Sequence, residues 1–140
     1  MSWRHLFPPI AAWTIAQVTK VVYISLRQRR LNLRVLAEMG GMPSSHSAIV
    51  MGLTTGIGRI DGLGSPLFAI ALIFSFVVMY DAQGVRRAAG RQAAVLNRLV
   101  DDVFAMRGLQ ETRLREFLGH TPFEVLVGAA LGVAVGLLPF

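Results

Sequence analysis

Long apolar runs separated by short polar breaks organise this chain. Residues 6–26, 45–60, 66–80 and 122–140 carry almost no charge. Crossing a hydrocarbon core of about 30 Å takes roughly 20 helical residues, so each run is predicted to be a transmembrane helix. The second is the shortest and holds Gly52, Gly56 and Gly58, which allows it to be tilted, centrally packed or only partly lipid-facing. Residues 59–64 read Arg-Ile-Asp-Gly-Leu-Gly, a tight turn that makes the second and third helices antiparallel neighbours. Residues 84–118 differ: they are charged, with Val95, Leu99, Val103 and Met106 near helical spacing, the pattern of an amphipathic helix outside the membrane core. The expected fold is therefore all-α, a polytopic membrane helix bundle with about four transmembrane helices and one cytoplasmic amphipathic helix. A single integral membrane domain spans residues 1–140 in this reading.

Composition agrees with the pattern. With 54% hydrophobic and 16% charged residues and a mean hydropathy of +0.54, the chain is too apolar for an ordinary soluble domain. The first apolar run has no small-residue cleavage site and reads as a retained span rather than a leader. Thirteen arginines and one lysine give a net charge of +6, but the apolar runs between them favour anionic lipid headgroups over nucleic acid. Cysteine is absent, so disulfides and thiolate metal sites are excluded.

Loop charge sets an expected orientation, because lysine and arginine are retained on the cytoplasmic side. Arg27, Arg29, Arg30 and Arg34 follow the first span; Arg86, Arg87, Arg91, Arg98, Arg107, Arg113 and Arg115 follow the third, against Arg4 and Arg59 on the other side. Both termini should lie outside an inner (cytoplasmic) membrane, with both basic loops in the cytoplasm. Gly52 and Gly56, and Gly128, Gly132 and Gly136, recur every four positions. Such stripes allow close helix approach in lipid, within the chain first and in a homodimer second.

In this topology the polar ends of all four spans meet at one face. Lys20 and Arg27 are seven residues apart, hence on one helix face and about 10 Å apart along the axis. Lys20 either snorkels to the interface or faces protein, water or an anion. Ser44 and Ser45 precede the second helix as caps, yet a helix amino terminus beside hydroxyls and Gly40-Gly41 is also an anion site. His46 follows within that turn, and an imidazole, which titrates near neutrality, suits acid–base work on a bound phosphate. Asp81 ends an apolar run, as a functional residue or as a salt-bridge partner of Arg86, Arg87 or Lys20. Thr121, Pro122 and Glu124 form a capping box. His120 lies outside it, four residues from Glu124, within reach of a carboxylate that could hold one ring nitrogen and leave the other free to attack. The alternative of a metal held by His46, His120, Asp81 and Glu124 is opposed by the surrounding arginines.

The strings GGMPSSHSA at 40–48, YDAQGVRR at 80–87 and LGHTPFEV at 118–125 resemble the divergent branch of the type 2 phosphatidic acid phosphatase superfamily, which is related to vanadium-dependent haloperoxidases. The parent motifs are a lysine and an arginine separated by six residues and followed by proline; PSGH; and an arginine, five residues, a histidine, three residues and an aspartate. Lys20 and Arg27 match the first, Pro43, Ser44 and His46 the second, and His120 with Glu124 the end of the third. The resemblance implies that His120 is a nucleophile that becomes phosphohistidine, that Glu124 orients it and that His46 protonates the leaving oxygen. It further implies that Lys20, Arg27 and the amides near Ser44 and Ser45 hold the phosphoryl oxygens, with no metal or other cofactor. Gln28, Ser45 and Glu124 stand where the parent pattern has proline, glycine and aspartate, and Leu114, between Arg113 and Arg115, where it has arginine. Arg86 or Arg87 is the expected substitute for that last cation. The expected function is hydrolysis of a lipid phosphate or pyrophosphate at the cytoplasmic face. The competing readings are a non-catalytic membrane protein that binds or moves an anionic lipid, and a vanadate-dependent oxidation site.

Overall fold

The structure, a computed structural model, describes residues 3–29, 41–105 and 120–139; the side chains of residues 85–87 and 102–105 lie outside that description. Among the described residues every regular element is helical. A short 3-10 turn at Trp3–His5 leads into α1 (Phe7–Gln28), followed by α2 (Ser45–Asp61), α3 (Pro66–Gln83), α4 (Val85–Ala105) and α5 (Pro122–Gly136). The helix starts have local causes. Ser44, Ser65 and Thr121 are extended N-caps whose hydroxyls accept from the backbone of Ser47, Phe68 and Glu124, and prolines open α1, α3 and α5, where a missing N–H costs nothing.

The bundle is inside-out relative to a soluble protein. Helix α3 buries only Ala71, Ser75 and Ala82, while Leu67, Ile70, Ile73, Phe74, Phe76 and Val77 are all more than half exposed. Small and hydroxyl side chains fill the interior and bulky apolar ones face outward, which suits lipid as solvent. By length and composition, the helical run through α1 and the run from α3 into α4 are apolar enough to cross a membrane, whereas α5 is apolar but shorter.

Helix α2 is the hub, packed against α1, α3 and α5, and its glycines set the spacing. A Cβ on Gly52 would fall 3.0 Å from Ala12 Cβ, and one on Gly56 would touch Pro8. The stripe on α5 lies against α2 still more closely: a Cβ on Gly128 would fall 2.3 Å from the Ser44 carbonyl oxygen, and one on Gly132 2.5 Å from that of Ala48. Both stripes thus serve packing within the chain. Between α2 and α3 the Thr54 and Ser75 hydroxyls bond at 2.7 Å and share the carbonyls of Val50 and Ala71, satisfying polar groups where no water would. These contacts make α2 antiparallel to α1 and α3 and parallel to α5. The carboxyl ends of α1 and α3 therefore sit with the amino ends of α2 and α5. At the opposite end, His5 bonds Asp61 at 2.8 Å and the Arg59 guanidinium donates to the Leu137 and Leu138 carbonyls.

Candidate functional site

The end that gathers α1, α2, α3 and α5 holds the polar residues singled out above. His120 sits just before α5, and two bonds fix it there. Its backbone N–H donates to the Ala82 carbonyl at the end of α3 (3.2 Å), and its Nδ1 lies 3.0 Å from Glu124 Oε2. A carboxylate only accepts, so this bond assigns a hydrogen to Nδ1, and in the neutral ring Nε2 is then the nitrogen that carries the lone pair. The same Oε2 accepts from the Thr121 N–H at 3.2 Å, and Thr121 Oγ1 accepts from the Glu124 N–H at 3.3 Å. Glu124 therefore closes the capping box and orients the imidazole with one oxygen.

Helix α2 brings the second ring. Ser44 is wholly buried; its N–H donates to the Glu124 carbonyl (3.1 Å) and its hydroxyl accepts from the N–H and the hydroxyl of Ser47. The α2 cap is thus tied to the first turn of α5. The His46 and His120 ring centroids are 6.1 Å apart with planes inclined at 66°, close enough for one phosphoryl group to touch both. Ser45, the first residue of α2, is half-buried beside them.

Helix α1 carries Lys20 and Arg27. Pro8, Ala12, Ala16 and Lys20 fall on its buried face, and Lys20 is only 5% exposed. Burial excludes snorkelling for Lys20: the side chain lies inward, under the loop backbone at Gly41, where a Cβ would meet Lys20 Cε at 3.1 Å. Gly41 has φ +88°, a left-handed conformation that glycine adopts without strain. Arg27 is exposed and lines a cavity of about 610 Å³ with Gln28, Gly41, Thr121 and Glu124. Asp81 falls on α3, which runs three residues beyond the expected end at Tyr80, and it shares a second cavity with His46. Arg86 and Arg87 belong to the first turn of α4, but their side chains, like Gly40, Arg113, Leu114 and Arg115, lie outside the described residues. No three His, Asp or Glu side chains gather as a metal-binding group among the described residues.

Sequence reasoning did not find Ser47 or the Ala82 carbonyl, which hold the site from behind. The three-residue spacing of Ser44 and Ser47 was the one available signal, since a hydroxyl at a cap commonly meets polar groups at that distance. A backbone carbonyl leaves no mark in a sequence.

Fold and site together define an all-α membrane protein with a histidine–carboxylate centre at one end of its bundle. The chain belongs to the Divergent PAP2 family, which it matches over residues 1–135. It is also 41% identical to an uncharacterized membrane protein, YuiD, of Bacillus subtilis (strain 168), over 95% of this chain and 91% of that protein. No solved structure matches.

Proposed function

We propose that this protein is a metal-independent phosphatase of the inner membrane, hydrolysing a lipid phosphate or pyrophosphate through a phosphohistidine. The observation that carries the reading is the placement of His46 6.1 Å from a His120 whose Nδ1 is held by Glu124. In this mechanism His120 Nε2 attacks phosphorus while the bond to the leaving oxygen breaks, and His46 gives that oxygen its proton. Water then attacks the phosphohistidine, His46 takes back a proton, and phosphate leaves with His120 restored. Phosphoryl transfer depends chiefly on positioned charge; Lys20, Arg27 and the amides at the start of α2 supply it, with Arg86 or Arg87 as the further cation. Four helices, α1, α2, α3 and α5, cross the bilayer, and the arginine-rich loops put the site on the cytoplasmic side. Lipid is the working partner, as substrate and as solvent, and nucleic acid is not.

Phosphate release from a panel of lipid phosphates, measured in detergent with chelator present, tests this. The parent chain should turn over, and His120→Ala should lose activity on the order of a thousandfold or more. The buried Lys20 would equally serve a protein that binds an anionic lipid without hydrolysing it. Lipid binding without turnover in both chains would favour that second reading.

A further inference from the structure

Resting on the phosphatase reading above, we infer that the groove between α2 and α3 holds the hydrocarbon chain of the lipid leaving group, entered sideways from the bilayer. The groove has a volume of about 550 Å³ and is lined along α2 by His46, Ile49 and Leu53 and along α3 by Phe74, Val77 and Asp81. On each helix these positions follow i, i+3, i+7 spacing, so each set forms one stripe, and a seven-residue stripe is about 10 Å long. The helices are antiparallel, so His46 faces Asp81 at one end and Leu53 faces Phe74 at the other. Both polar liners named here are thus at the end near the histidine pair, and the rest of the groove is apolar. An amphiphile fits that gradient in one direction only.

The chemistry of the site selects the same direction. In an in-line displacement the nucleophile and the leaving oxygen lie on opposite sides of phosphorus. His120 is fixed by Glu124 and the Ala82 carbonyl, so the leaving oxygen lies toward His46, and whatever carries that oxygen continues into the groove His46 lines. Charge sorts the two halves of the substrate further. Lys20 and Arg27 on α1 draw the phosphoryl oxygens toward the α1–α5 side, away from the groove between α2 and α3. The part of the substrate in the groove is then its uncharged part. Phe74 is 53% and Val77 62% exposed, so the α3 wall of the groove opens to the surroundings of the bundle, which in this reading are lipid.

The test uses the full chain in detergent with two substrates, a long-chain alkyl phosphate and a water-soluble aryl phosphate, and reads the ratio of their kcat/KM values. Leu53→Trp and Val77→Trp each place an indole in the groove; Ile70→Trp, on the outer face of α3, is the control. The ratio should fall roughly tenfold or more in both groove variants and stay at the parent value in Ile70→Trp. Val77 is exposed, so its variant tolerates the larger ring even where Leu53→Trp disturbs packing. A photoactivatable long-chain alkyl phosphate should also cross-link His120→Ala within residues 49–53 and 74–78. An unchanged ratio in both groove variants, or cross-links confined to α1 and α5, overturns the groove and leaves the phosphatase standing. A parent chain that releases phosphate from neither substrate removes the phosphatase reading, and the groove assignment falls with it.

Discussion

Glu124 Oε2 accepts hydrogen bonds from both the Thr121 amide and the His120 ring, so truncation and charge removal should separate at this residue. Glu124→Gln keeps an amide oxygen for the Thr121 N–H. It loses the negative charge that stabilises a positively charged imidazole in the reaction. Activity should fall about a hundredfold or more, with the thermal midpoint in detergent close to the parent's. Glu124→Ala removes the cap as well and should cost about 1 kcal/mol in addition. Equal activity in the parent and Glu124→Gln would leave the carboxylate a helix-capping role only. Lys20 allows the converse experiment. It is buried on the packed face of α1, and Lys20→Met keeps much of its length while removing a charge that is expensive to bury. The expected outcome is a chain that still folds, with lipid phosphate turnover reduced about a hundredfold. A variant that merely unfolds would assign Lys20 to packing. The sequence left Lys20 open between snorkelling and facing inward, because the choice depends on what lies opposite. Only the packed loop at Gly41 decides it.

At the scale of elements, glycine spacing turns sequence into geometry. The α5 stripe lets the Ser44 and Ala48 carbonyls approach so closely that a Cβ on Gly128 or Gly132 would overlap them. Gly128→Ala must therefore push α5 from α2, and it should cost about 1–3 kcal/mol, read as a lower thermal midpoint. Because α2 carries His46 and the chain just before α5 carries His120, activity should fall further than the stability loss explains. Gly64→Ala, at a site with nothing within 4 Å, is the matched control and should leave both properties unchanged. Helix starts were legible beforehand: the apolar runs from 45, 66 and 122 begin where α2, α3 and α5 begin, with Ser44 and Thr121 as caps and Pro122 at the first helical position. Ends were less legible. Helix α3 runs on to Gln83 rather than Tyr80, and the α5 helix stops at Gly136 rather than Phe140. The former carries Asp81 onto the α2–α3 groove. That groove and the His5–Asp61 pair at the far end were not legible, since each depends on which faces of two helices meet.

For the whole molecule the question is which way the bundle stands in the membrane. The contacts place Lys20, Arg27, His46, Asp81 and His120 at one end, with His5, Arg59 and Asp61 at the other. Most of the arginines lie in the segments that leave the first end, after α1 and after α3, and under the proposed topology such positive segments face the cytoplasm. The natural absence of cysteine makes the consequence directly measurable with single-cysteine variants. Gln28→Cys lies at the site end of α1, and Gly64→Cys lies in the exposed turn between α2 and α3 at the other end. A membrane-impermeant thiol reagent added to intact cells should label Gly64→Cys and spare Gln28→Cys until the membrane is opened. The reverse pattern would turn the bundle over and move the histidine pair to the outer leaflet. Labelling of both from one side would remove the membrane crossing between them. The orientation matters chemically because the phosphoryl end of a lipid is confined to the leaflet it occupies. A site on the cytoplasmic side would draw its substrate from the inner leaflet and release phosphate directly into the cell, while the alkyl chain along α2 and α3 never left the bilayer.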